Sequence, residues 1–559
     1  MTITGNIVDV LNRSISFGTI SIDGQKIKAI DITSNNVDFD TPYILPGFID
    51  SHVHIESSLL IPSQFARLAV LHGTVATISD PHEIANVCGR AGIRFMLDDA
   101  SSICFHFFFG APSCVPASAF ETAGATLTLQ DTEDLLKEND IWYLSEMMNF
   151  PGVLQGDKDV LAKIYAAVNM NKPIDGHAPG LRGQDAVHYS RAGSNRTLIT
   201  TDHECFTKAE ALDKLACGMK IIIREGSAAR NFDALIDLMS LYPDQLMFGT
   251  DDKHPDSLLQ GHINTLCARA VARGMDVFDV LRAACITPVL HYKLPVGLLK
   301  ENDSADLVVV KDLVNFKVQR TIIRGNVVAD NGVSKLSFVH TGVINNFADI
   351  QLEQDDLKWN IQDAPITDGN VPVIVVEDGQ LITKVEWNQV EVSDNEVLSD
   401  PVNDILKIVV VNRYRQAKPA VGLVKNFKLQ DAAIASSVAH DSHNIIATGS
   451  SDELIFAAIQ QILAAKGGLS FATNLNGIIS TTLLPLPVAG LMTNADAWET
   501  AEKYIVLDQL AKSAGSNLRA PYMTLSFMAL LVIPHIKLSD LGLFDGDRFS
   551  FYQDVIHPT

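Results

Sequence analysis

At 559 residues the chain exceeds one ordinary domain, so two or three are expected. Hydrophobic residues at 47% against charged residues at 19% exclude the disordered and fibrous classes. Lys+Arg 43 against Asp+Glu 66 gives a net charge of −23, which excludes nucleic acid or an anionic membrane as the main partner.

Residues 1–45 read as a small β unit, with alternating runs at 3–10, 15–22 and 26–32, the last after an Asp23-Gly24 turn. The opening MTITGNIVDVLNRS lacks the basic-then-apolar plan of a leader peptide. The longest late apolar run, 525–534, is too short to cross a bilayer, and a cytoplasmic protein is expected. The seven cysteines include no C-x-x-C pair, so neither a disulfide framework nor a thiolate zinc site is expected.

Residues 45–56, LPGFIDSHVHIE, come next as a buried strand that breaks into polar residues at its end. Side chains two apart on a strand point the same way, so His52 and His54 project together and Val53 turns away. Two imidazoles aimed at one point suit a metal ion better than an apolar core. A strand-then-helix rhythm continues with strands at 73–78, 103–109, 141–144, 172–175, 197–200, 219–223 and 245–248. Amphipathic spacing fills intervals such as 62–71, 84–97 and 208–215. Eight strands in this rhythm predict an α/β fold, a (β/α)8 TIM-like barrel over 46–292, with an open doubly wound sheet as the alternative.

A β pattern returns at 306–310, 316–323 and 325–329, which predicts a small β-sandwich built from 1–45 together with 293–340. Asp355 and Asp356 mark a linker, and 345–559 reads as a C-terminal α/β or α+β domain. It carries strands at 373–376 and 405–411, a helix at 452–465, and a break at Gly467-Gly468.

The barrel strands run out into polar residues: SHVH, SDPHE at 79–83, SE at 145–146, GH at 176–177, DHE at 202–204, REGS at 224–227 and TDD at 250–252. In such barrels that face holds the active site. His52, His54, Glu146, His177, His203 and Asp251 supply four imidazoles and two carboxylates, enough for two divalent ions. Glu146 would bridge, Asp251 would complete the ion of His52 and His54, and His177 and His203 would hold the second. Nitrogen and oxygen ligation suits manganese, iron or zinc, and two close ions acidify a shared water. Asp251 is preferred over Asp252 because neighbouring strand residues face opposite ways.

His82 and Glu83 either help bind substrate or a further ion, or start a helix. Arg224 and Glu225 either contact substrate or form an ion pair framing a loop. Cys205 reads as a small buried neighbour. The cluster His440-Asp441-Ser442-His443-Asn444 reads as a hydrogen-bonded loop or interface, with pocket lining or binding of an ion as the alternative. His262, His291, His535 and His557 stand in no constellation.

The stretch PGFIDSHVH at 46–54 resembles the opening motif of the amidohydrolase superfamily. Residues 145–152, 175–179, 201–204, 224–230 and 249–255 resemble the adenine deaminase family within it, and 438–444 and 478–493 extend the likeness over nearly the whole chain. The resemblance implies hydrolysis of adenine to hypoxanthine and ammonia in purine salvage, a two-metal centre of manganese or iron, and a homodimer. In that setting Asp251 moves the proton from the nucleophilic water to the leaving amine, and Glu204 protonates a ring nitrogen. Arg224, Glu225 and His82 are the substrate-binding candidates. Two rivals stay open: another amidohydrolase acting on a cyclic amide or N-acyl group, and a non-catalytic barrel scaffold. Many such amidases bridge their metals with a modified lysine, and none stands at the Glu146 position. The zinc deaminase pattern with Pro-Cys-x-x-Cys is excluded by the absent cysteine pair.

Overall fold

A computed structural model describes residues 1–553, and His557 lies outside the described residues. Strands Phe48–Val53, Thr74–Ser79, His106–Ala111, Ile141–Met147 and Ile174–Gly176 pair in parallel in that order. Thr201–Asp202, Lys220–Arg224 and Leu246–Gly249 form a second parallel run. Backbone hydrogen bonds close the two runs into one eight-stranded barrel. At one seam Thr200 N donates to Ile174 O at 2.9 Å; at the other Asp251 N donates to His52 O at 2.8 Å and His54 N to Asp251 O at 3.3 Å. The strands are almost wholly buried, as parallel strands covered on both faces must be, which is why they read as short continuous apolar runs.

Two strands depart from the sequence pattern. The third begins at His106, three residues later than expected from 103–109. The sixth is Thr201–Asp202, not 197–200. Leu198 N and Ile199 N both donate to Ser190 O, at 2.8 and 3.0 Å, so the apolar run packs against the end of helix Gly183–Arg191 before the chain reaches the sheet.

Strands Thr2–Asp9, Ser14–Asp23, Lys26–Ser34 and Tyr43–Pro46 share one eight-stranded sheet with Leu307–Val310, Val318–Ile323, Asn326–Asp330 and Val333–Ser334. The sheet encloses a core that includes Ile3, Ile20, Ile22, Ile27, Leu307, Val309 and Ile322, drawn from both segments. Gly47 alone separates Tyr43–Pro46 from the first barrel strand. A Cβ at Gly47 would lie 2.4 Å from both methyls of Val75, so only glycine lets the chain pass from sheet to barrel this close to the second strand.

The C-terminal region holds a second eight-stranded sheet, antiparallel except for the pair Asn370–Val375 and Ala420–Lys425. Helix Asp452–Ala465 packs against it, capped at Ser451, whose side chain accepts from Leu454 N. This is the α+β form of the two expected. Among the described residues no helix is long and apolar enough to cross a membrane.

Candidate active site

The polar strand ends converge as the barrel topology requires. His52 and His54 leave the first strand with their rings 4.9 Å apart, edge to face. Glu146 ends the fourth strand, while His177, His203 and Asp251 lie just past the fifth, sixth and eighth. All six are buried. Glu146 joins the group: its Oε1 is 3.4 Å from His54 Nε2, and its Oε2 is 2.8 Å from His177 Nδ1 and 3.1 Å from His203 Nε2. Asp251 Oδ1 lies 3.3 Å from His54 Nε2 and 3.8 Å from His52 Nε2. The rings of His52 and His203 stack at 3.9 Å. Asp251 has a φ of 56°, so the backbone turns here and simple alternation stops. Asp251 therefore faces the imidazoles, and Asp252 turns aside to accept from Ser57 Oγ.

Buried polar atoms are almost always satisfied, yet neither ring nitrogen of His52 has a hydrogen-bond partner. Inward-facing nitrogens among carboxylates, with no thiolate in reach, fit divalent cations of the manganese, iron and zinc kind. Cys205 points elsewhere, its Sγ donating to Asp202 Oδ1 at 3.6 Å. Burial would raise the Glu146 carboxyl, but His177 and His203 hold it well below the usual range. Burial would lower His203, but Glu146 brings it up to about 10. The cluster is thus one interlocked set of charges.

Arg224, buried at the end of the seventh strand, forks onto Glu204 at 2.6 and 2.8 Å and also donates to Asp251 Oδ2. Burial would raise the Glu204 carboxyl, but Arg224 and His177 outweigh it and bring it down to about 2. Glu225, expected as a substrate contact beside Arg224, is not brought to the site. Adjacent strand residues face opposite sides, and Glu225 turns outward to accept from Arg269 at 2.5 Å. His82 starts a helix, as one of its two readings has it, and also faces the cluster. It is the first residue of helix His82–Ser101, and its Nδ1 lies 3.5 Å from Glu146 Oε1.

The roof is legible in the sequence only at the 440–444 loop, for which pocket lining is the alternative reading. Leu381, His440, Asp441, Phe527 and Leu530, all from the C-terminal region, close over the cluster and leave a cavity of ≈ 20 Å³. The loop with His440 and His443 therefore lines the pocket as well as bridging to the barrel, through Glu83. Leu381, Phe527 and Leu530 carry no motif, and no local signal marks them.

The amidohydrolase family matches residues 43–328, and the adenine deaminase C-terminal domain matches residues 380–550. The adenine deaminase of Salinibacter ruber is 48% identical over 552 residues, covering 98% of each chain. That of Sulfurovum sp. is 50% identical over 556 residues, covering 99% of each. That of Borreliella burgdorferi is 46% identical over 557 residues, covering 98% of each.

Proposed function

Because the chain belongs to the adenine deaminase family of amidohydrolases and deaminates adenine hydrolytically, we propose that the buried strand-end cluster carries this reaction. The family brings with it a divalent metal centre. His52, His54 and Asp251 would hold one ion, His177 and His203 a second, and Glu146 would touch both, with manganese or iron as the metal and zinc as the substitute. Bound there, the ions supply an acidified water as nucleophile. The observation that carries this reading is the reach of Glu146, one oxygen toward His54 and the other toward His177 and His203.

Asp251 takes one proton of the attacking water as the C–O bond forms at the amine-bearing ring carbon and gives it to the exocyclic amine, after which the C–N bond breaks and ammonia leaves. Arg224 fixes the carboxylates of Asp251 and Glu204 in place. Glu204, a carboxylate beside Arg224, carries the second proton of the water to a ring nitrogen, and that role requires one of its oxygens to leave the Arg224 fork as the base enters. His82, which lines the cavity, would contact the base. The roof keeps bulk water from the reacting atoms. On this reading the chain divides into 1–45 with 293–340, the barrel 46–292 and the C-terminal 345–559. It works as a cytoplasmic homodimer in purine salvage, without nucleic acid or membrane as partner.

The test is ammonia release by protein reconstituted with manganese or iron, on adenine, guanine, hydantoin and dihydroorotate. Release from adenine alone is expected. Activity on a cyclic amide with none on adenine overturns the assignment, and fewer than one ion per chain after reconstitution restores the scaffold reading.

A further inference from the structure

Asp441 lies in the loop between strands Ala432–Ser436 and Ile445–Gly449, and its side chain, 4% exposed, lines the cavity over the barrel mouth. Its Oδ1 is 3.7 Å from His82 Nε2, and its Oδ2 is buried with no hydrogen-bond partner among the described residues. A buried carboxylate oxygen left unpaired is costly, and such an oxygen in a binding cavity marks a place where the ligand brings the donor.

The location says which part of the ligand. The other ring nitrogen of His82 is 3.5 Å from Glu146 Oε1, so the His82 ring lies as a spacer between Glu146 and Asp441. A base with its amine-bearing carbon over Glu146 and its fused edge along His82 directs its five-membered ring toward Asp441. That end of adenine offers one N–H donor; its other nitrogens are acceptors, which a carboxylate repels. A nucleoside has lost the donor to its sugar.

Resting on the deaminase reading above, we propose that Asp441 accepts the five-membered-ring N–H of the purine and so selects the free base over its N-substituted forms. The loop is held for this purpose. His440 Nδ1 donates to Glu83 at 2.6 Å, His443 Nε2 donates to the other Glu83 oxygen, and His440 N donates to Ser526 O at 3.1 Å. Tyr414 Oη donates to Ser442 O at 2.6 Å. An acceptor fixed before binding rejects an analogue lacking the donor far more strongly than a mobile one.

The experiment compares adenine with oxazolo[5,4-d]pyrimidin-7-amine, in which oxygen replaces the ring N–H and the other ring nitrogens are kept, on the metal-loaded full chain. For the wild type kcat/KM is expected to fall on the order of 100-fold or more for the oxazole analogue. In Asp441→Asn that gap closes to within about tenfold, KM for adenine rises more than kcat falls, and the metal content is unchanged. Equal turnover of the two compounds by the wild type overturns the proposal without any variant. An undiminished gap in a folded, metal-loaded Asp441→Asn overturns it as well. Ammonia from neither compound, with activity on a cyclic amide, overturns the deaminase reading and this assignment with it.

Discussion

Glu83, on the helix behind the second barrel strand, accepts a 2.6 Å hydrogen bond from His440 across 357 residues of sequence. Its second oxygen accepts from His443. Burial would raise the Glu83 carboxyl, but the two imidazoles hold it well below the usual range, and the carboxylate in turn brings His440 up to about 9. The contact ties the roof of the site to its wall.

Glu83→Gln should loosen that tie. The amide keeps one acceptor and turns an N–H₂ toward the second imidazole, so two charge-assisted hydrogen bonds are lost or weakened. The expected result is a fall in kcat/KM for adenine of roughly ten- to hundredfold, mostly in KM. Steady-state kinetics with metal analysis checks it; loss of metal at unchanged KM would contradict a positioning role.

Arg224→Met leaves Glu204 and Asp251 as buried carboxylates without their cation. Breaking such a pair from one side costs about 3–5 kcal/mol, and urea unfolding should register a loss of that size. Adding Glu204→Gln removes one orphaned charge and should recover part of the stability. Full additivity of the two changes would show that the residues do not act together.

Glu146→Gln strikes both halves of the cluster, whereas His177→Asn strikes one. After reconstitution the first should retain fewer ions per chain than the second, and both should be inactive on adenine. Chelation of the wild type should lower its thermal midpoint, since a cation at 100 times its Kd contributes about 2.7 kcal/mol to the folded state.

The floor of this site was legible and the roof only at its 440–444 loop, for a physical reason. His52 and His54 announce themselves because strand geometry turns a spacing of two into one direction. Glu146, His177, His203 and Asp251 announce themselves because each ends an apolar run. Asp251 escapes strict alternation through its left-handed backbone, and the pattern sets the sixth strand four residues early because an apolar run can pack against a helix as well as in a sheet. The Glu204–Arg224 fork and the Glu83–His440 contact depend on pairings between separate elements, which no local pattern encodes.

Lys537 supplies a pH signature away from the cluster. It is wholly buried, with Nζ donating to the carbonyl of the roof residue Leu381 at 2.7 Å, and burial brings its ammonium down from 10.5 to about 7. Between those values the unfolded chain binds the proton and the folded one does not. This group's contribution to stability therefore rises with pH across the window, by about 1.4 kcal/mol per unit, and is flat below it. Urea unfolding at pH 7 and 9 should show a steeper rise for the wild type than for Lys537→Met.

The strand Tyr43–Pro46, which runs through Gly47 into the first barrel strand, lies between Thr2–Asp9 and Leu307–Val310. On the ribosome its second neighbour is absent until most of the barrel has been synthesised. For that interval an unpaired β-edge is exposed at the start of the nascent chain, open to strands of adjacent chains on the same message. Slower translation between the two segments should therefore lower the yield of native protein by prolonging the exposure of that edge.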